Sequence, residues 1–184
     1  MILENEKIKQ ALEYIKEEDP ATTQDTLNMC QIPAPSYKEE KKAEYIRDRF
    51  REIGLRDVRI DAVGNVLGIW PGTGEGPNVM LAAHTDTVFP EGTDLSIRKE
   101  GNRYYCPGIN DDTHAVAEMI AVAKAMIHAD LHTKGDLIFC ANVCEEGLGD
   151  LRGVKYLFGY DNKASEECPE VDAFVSIDNQ YTGG

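Results

Sequence analysis

The chain has 184 residues, enough for one well-buried core, and its 42% hydrophobic and 28% charged content is that of an ordinary globular domain. A formal charge of −14 excludes nucleic acid and anionic membrane surfaces as natural partners. No apolar run approaches the roughly 18 residues of a membrane span, and the charged stretch MILENEKIKQALEYIKEE lacks the pattern of a signal peptide, so a cytoplasmic location is expected.

A first amphipathic helix is predicted over residues 5–18, with Ile8, Leu12 and Ile15 on one face. Pro20 suits the first turn of a second helix that reaches about residue 29. Ser36 and Glu39 then make the S-x-x-E pattern of a capping box. Ala43, Ile46, Phe50 and Ile53 recur at helical spacing up to Gly54, which ends that helix as a left-handed cap. Strands are expected at 58–62, 65–70 and 78–83, separated by turn chemistry at Val63-Gly64 and at 71–77. Segments 95–98 and 103–105 pair as a hairpin. A helix over 112–127, with Val116, Ile120, Ala123 and Ile127 on one side, precedes a strand at 136–143, a helix at 151–160 and a buried strand at 171–177. This alternation predicts an α/β fold: a mixed, mainly parallel sheet with helices on both faces. The chain stops soon after the last strand with no helix to cover it, an ending that reads as a fragment. Its five cysteines, Cys30, Cys106, Cys140, Cys144 and Cys168, form no C-x-x-C pair, which argues for reduced, buried thiols over a structural zinc ribbon.

The informative residues lie where predicted strands end. His84 and Asp86 follow the strand at 78–83, and Asp111 and Asp112 open the helix at 112–127. Glu145 and Glu146 follow the strand at 136–143, and Asp178 follows the strand at 171–177. Ligands of open α/β sheets gather outside the carboxyl ends of the strands, so these segments should meet in one cleft. Six carboxylates and one imidazole would then sit together with no Lys or Arg in the same segments. Each carboxylate raises its neighbours' pKa unless a cation compensates. A divalent cation, better two, is the economical answer, and mixed His and carboxylate donors suit zinc, manganese or cobalt rather than calcium or magnesium. Taken singly, each piece has an ordinary explanation: a turn pair for His84-x-Asp86, a helix cap for Asp112, a solvated turn for Glu145-Glu146. Four such pieces at strand ends outweigh those explanations together. His114 lies near the Asp pair and could line the site, whereas His128 and His132 read as exposed.

HTDTVFPEGT, GINDDTHAVAEMIAVAKAM, EEGLGDLRG and VSID, with IPAPSYKEE before them, resemble the successive signatures of the co-catalytic zinc exopeptidase and deacylase family. That family includes peptidase T, glutamate carboxypeptidase, acetylornithine deacetylase and aminoacylase, and the likeness runs from about residue 30 to 178. It implies that His84, Asp111 and Asp178 hold one zinc and that Asp111 and Glu146 hold a second. It further implies that Asp86 orients His84, that Glu145 is the general base, and that the Asp111–Asp112 peptide is cis. Small peptides or N-acyl amino acids would be the substrates. Residues 1–184 would form the N-terminal part of a catalytic domain, the full-length protein being a homodimer through a lid domain that is absent. The chain departs from the family in that no histidine follows His132 to complete the Glu146 side and the lid domain is missing. In addition, Thr113-His114-Ala115 stands where Lys or Ser and Gly are commoner, and Asn179 replaces the usual Gly after the ligand Asp. The competing reading is a fragment or degenerate paralogue that binds at most one metal without hydrolysis. A phosphatase is disfavoured, since no phosphate-cradling Gly-rich loop or Arg cluster is present.

Overall fold

The computed structural model describes residues 2–160 and 164–178. Helix α1 (Glu6–Glu17) starts at Asn5, whose side chain accepts hydrogen bonds from the Lys7 and Ile8 amides. Helix α2 (Asp19–Cys30) begins with Pro20 in its first turn, where a missing amide hydrogen costs nothing. Helix α3 (Glu40–Glu52) buries Ala43, Ile46 and Phe50 and is closed by Gly54 at φ +90°. The expected capping box does not form. The helix starts only at Glu40, with no side-chain cap, and Ser36 and Glu39 are drawn to partners on other loops.

Strands β1 (Arg56–Ile60), β2 (Val66–Trp70), β3 (Val79–His84), β6 (Leu137–Asn142) and β7 (Ala173–Ser176) form one sheet in the order β1-β2-β6-β3-β7. Strands β4 (Arg98–Glu100) and β5 (Arg103–Tyr105) form a separate antiparallel hairpin, its first strand later than expected. The sheet is mixed: β1-β2 and β2-β6 pair antiparallel, β6-β3 and β3-β7 parallel. Side chains alternate along it, as the pleat requires. Val66, Ala83, Phe139 and Ala141 face α3 and α4 (His114–His128), while Leu67, Met80, Ala82, Ile138 and Cys140 face Leu157 of α5 (Arg152–Phe158). From β3 the chain crosses to β6 through α4, then returns past β3 to β7 through α5. Right-handed crossovers running in opposite directions place their helices on opposite faces.

Two further details differ from expectation. Strand β7 is an exposed edge rather than a buried strand, with Phe174 and Val175 39% and 47% exposed, because among the described residues only β3 flanks it. Helix α4 begins at His114, after an irregular turn over Ile109–Thr113. Among the described residues no helix is long and apolar enough to cross a membrane. All five cysteines are free, with Cys30, Cys140 and Cys144 buried.

Candidate metal centre

The parallel register decides which residues meet. His84 pairs level with Asn142 at the end of β6, and the Ile177 amide bonds the Ala82 carbonyl at the end of β7. The carboxyl ends of three neighbouring strands therefore open on one edge of the sheet, and His84 on the middle strand is the common point. Asp111 reaches the same place from the turn before α4. That turn starts at Gly108, at φ +72°, where a Cβ would meet the Thr87 methyl at 2.6 Å. The Asp111–Asp112 peptide is cis.

One ligand atom from each of His84, Asp111 and Asp178 lies within 4.8 Å of the other two, and the same holds for His84, Glu145 and Glu146. The His84 Nε2 is 3.0 Å from Asp111 Oδ1 and 4.0 Å from Glu145 Oε2. His84 is itself 3% exposed. Its Nδ1 lies 3.0 Å from the Asp86 carbonyl oxygen and 3.4 Å from Asp86 Oδ1, which leaves Nε2 turned toward the carboxylates. Asp86 is fully buried and accepts hydrogen bonds from Ser36 Oγ at 2.6 Å and from the Glu145 and Glu146 amides at 2.9 and 3.1 Å. Asp112 does not cap α4. Its Oδ2 accepts the His84 amide at 3.0 Å, and its buried Oδ1 has no hydrogen-bond partner among the described residues.

The electrostatics fit a cation site. Burial pushes Glu145 and Glu146 above the ordinary carboxylate range, and neighbouring carboxylates add to it while His84 opposes. Burial likewise raises Asp112 to about 7. For Asp86 burial pulls upward, but hydrogen bonds from His84, Ser36 and the two Glu amides hold it below its ordinary value. Burial opposes a charge on His84, yet Asp86, Asp112 and Glu145 outweigh it and lift the imidazole to about 9. Carboxylates crowded around one histidine, with Glu145, Glu146 and Asp112 pushed upward, mark a site short of positive charge. One imidazole among several carboxylates matches the mixed nitrogen and oxygen donors that zinc and its neighbours accept.

His114 is directed elsewhere, its Nδ1 to Thr26 Oγ1 at 3.2 Å and its Nε2 to Glu118 at 3.2 Å. His128 stacks on Tyr14 and His132 on Trp70, both on the surface. A charge that sequence reasoning missed lies beneath the site. Lys42 of α3 is 1% exposed and donates to Thr113 Oγ1 at 2.8 Å. The signal was available: Lys42 is four residues before Ile46 and eight before Phe50, on the buried stripe of α3.

Comparison with known proteins agrees with this architecture. The chain is 34% identical over 120 residues to a putative [LysW]-lysine/[LysW]-ornithine hydrolase of Pyrococcus abyssi, covering 65% of this chain and 32% of that protein. It is 29% identical over 181 residues to the succinyl-diaminopimelate desuccinylase of Corynebacterium glutamicum, covering 98% of this chain and 46% of that protein. Its fold superposes on the aminopeptidase PepT of Bacillus cereus with a TM-score of 0.70 at 19% identity, over 86% of this chain and 43% of that one. The chain thus spans less than half the length of each of these proteins. Residues 80–182, from strand β3 past the last acidic strand end, match the profile of peptidase family M20/M25/M40, and the chain belongs to that family.

Proposed function

We propose that the protein is a metal-dependent hydrolase of peptide or N-acyl amide bonds in small substrates. The observation that carries this is the placement of Asp111, Asp178, Glu145 and Glu146 carboxylates around the single buried ring of His84. The relatives, a putative [LysW]-lysine/[LysW]-ornithine hydrolase, a desuccinylase and an aminopeptidase, support an amide-bond substrate. His84, Asp111 and Asp178 would hold one zinc, and Asp111 and Glu146 would contribute to a second, with cobalt or manganese as alternatives. Bound there, the cations would supply Lewis acidity toward a water and toward the substrate carbonyl.

The chain's own residues do the rest. Asp86 holds the His84 ring in one orientation and, through the Glu145 and Glu146 amides, fixes where that loop leaves β6. Glu145, partly buried and with its proton affinity raised, takes a proton from the attacking water. It then returns that proton to the leaving amine nitrogen, which breaks the C–N bond without releasing a free amide anion. Residues 1–184 would form the N-terminal part of the catalytic domain, and substrate selection and a homodimer contact would depend on the remainder of a longer protein. The five free cysteines fit a reducing cytoplasm.

Zinc titration by calorimetry, run beside hydrolysis of dipeptides and N-acyl amino acids by the full-length protein, tests the reading. One zinc should bind this 184-residue chain more tightly than a second, since three side chains serve the first and two the second. Absence of both zinc binding and hydrolysis would refute it.

A further inference from the structure

The S-x-x-E segment before α3 is spent on the metal centre rather than on its own helix. Ser36 Oγ donates to Asp86 Oδ2 at 2.6 Å and approaches the Glu146 carbonyl oxygen at 3.5 Å. Glu39 is 5% exposed, and its Oε1 accepts both the Cys144 amide at 3.0 Å and the Cys144 thiol at 3.3 Å. The same segment is tied to the end of β3, where the Thr87 amide donates to the Ala34 carbonyl at 2.9 Å. The Tyr37 hydroxyl donates to the Leu148 carbonyl at 3.0 Å. Residues 34–39 therefore touch both loops that carry the proposed base and three of the proposed metal-binding or orienting side chains.

Local backbone conformation shows why a clamp is needed. Cys144 sits at φ +53°, in the left-handed region that a residue with a Cβ rarely adopts. It lies past the end of β6 at Asn142, and its amide donates to the buried Glu39 carboxylate, which supplies the acceptor a buried amide needs. The turn at Cys144 sets the direction in which Glu145 and Glu146 leave β6. Their amides close on Asp86, and Ser36 holds the other side of that same carboxylate. The contacts run in a chain, Glu39 to Cys144, Glu145 and Glu146 to Asp86, and Asp86 to Ser36.

We propose that Ser36 and Glu39 are positioning residues, which hold the Cys144–Glu146 turn and Asp86 in the geometry that a metal ion requires. The metal part of this statement rests on the function proposed above; the clamp itself does not. Hydrogen–deuterium exchange on the metal-free 184-residue chain therefore comes first. Ser36→Ala and Glu39→Met, which remove the hydroxyl donor and the carboxylate acceptor, should raise exchange across residues 143–146 about tenfold over wild type. Ser36→Thr and Glu39→Gln keep a donor and an acceptor and should restore protection. Ser96→Ala, whose hydroxyl bonds the exposed Asp94 far from this turn in sequence, should leave the segment unchanged.

Cobalt titration followed by visible absorbance is the second readout. The two disruptive variants should bind Co2+ at least about tenfold more weakly and with an altered d–d spectrum, in line with the usual effect of removing a partner behind a metal ligand. A merely structural role would lower stability without moving the spectrum of the ion that still binds. Wild-type exchange and wild-type Co2+ spectra in both disruptive variants would overturn the proposal. Wild-type protein that takes up no Co2+ would overturn the metal reading alone, and the exchange experiment would still decide the clamp. Should Glu39→Met fail to fold, Ser36→Ala against Ser36→Thr decides it, because Ser36 is only half-buried.

Discussion

Replacing Lys42 by methionine should stabilise the protein at neutral pH. Burial dominates its environment and outweighs the pull of Cys30, Asp112 and Asp86, drawing the ammonium from the ordinary 10.5 down to about 8. Each tenfold change in proton affinity is about 1.4 kcal/mol, so the charged lysine costs the folded state about 3 kcal/mol below pH 8, where both states are protonated. Losing the hydrogen bond to Thr113 takes back about 1 kcal/mol, which leaves a net gain near 2 kcal/mol for Lys42→Met at pH 7. Between pH 8 and 10.5 the unfolded chain keeps this proton and the folded chain has lost it. Wild-type stability must therefore rise with pH relative to the variant through that window, and the advantage of Lys42→Met should shrink through zero and reverse by about 1 kcal/mol, the lost hydrogen bond, near pH 10.5. Urea unfolding of both chelator-treated proteins at several pH values from 7 to 10.5, followed by circular dichroism, gives the difference directly. A variant less stable than wild type at pH 7, or a difference flat across the window, would refute the reasoning.

Glu145→Gln should lower hydrolysis in the full-length protein by about 10²–10⁴-fold while leaving zinc stoichiometry unchanged, since the amide cannot carry the proton; equal loss of metal and activity would instead make Glu145 a ligand. Gly153→Ala should destabilise by about 2–3 kcal/mol in urea titration, because the new Cβ would lie 2.2 Å from Asn65 Oδ1 and 2.6 Å from the Val143 carbonyl oxygen. A neutral result there would show that α5 can shift away from β6. Burial raises the Cys30 thiol to about 12 and Cys144 to about 11, and raises Cys140 further still. These three should resist an aromatic disulfide reagent at pH 8 in the folded protein and react promptly in denaturant, as read by mass spectrometry. Rapid labelling of Cys140 in the native state would contradict its burial between β6 and α5.

The segments with strong local signals were legible before the fold was known. Ile46 and Phe50 repeat at helical spacing, the 71–77 turn separates two strands, and Gly54 marks a helix end; each is a property of a short window of chain. The Ser36 and Glu39 pattern misled for the same reason. As a local string it is a capping box, but the same hydroxyl and carboxylate satisfy donors and acceptors more than 45 residues away, and only the folded chain brings those within reach. Strand β7 misled in the opposite sense: its apolar composition is that of a covered strand, yet exposure is decided by its place at the edge of the sheet.

By itself, the sequence determined which side chains stand at strand ends and which chemistry they offer, because strand length and turn residues are written locally. His84, Asp111, Glu145, Glu146 and Asp178 could be singled out from that alone. Tertiary structure decided that β6, β3 and β7 lie side by side in parallel register, so that acids far apart in the chain gather on one imidazole. It also decided that Lys42 is buried beneath them and that Ser36 and Glu39 support the loop between them. Pairing and burial are long-range outcomes: they depend on which strand neighbours which, and no single stretch of the chain specifies that order.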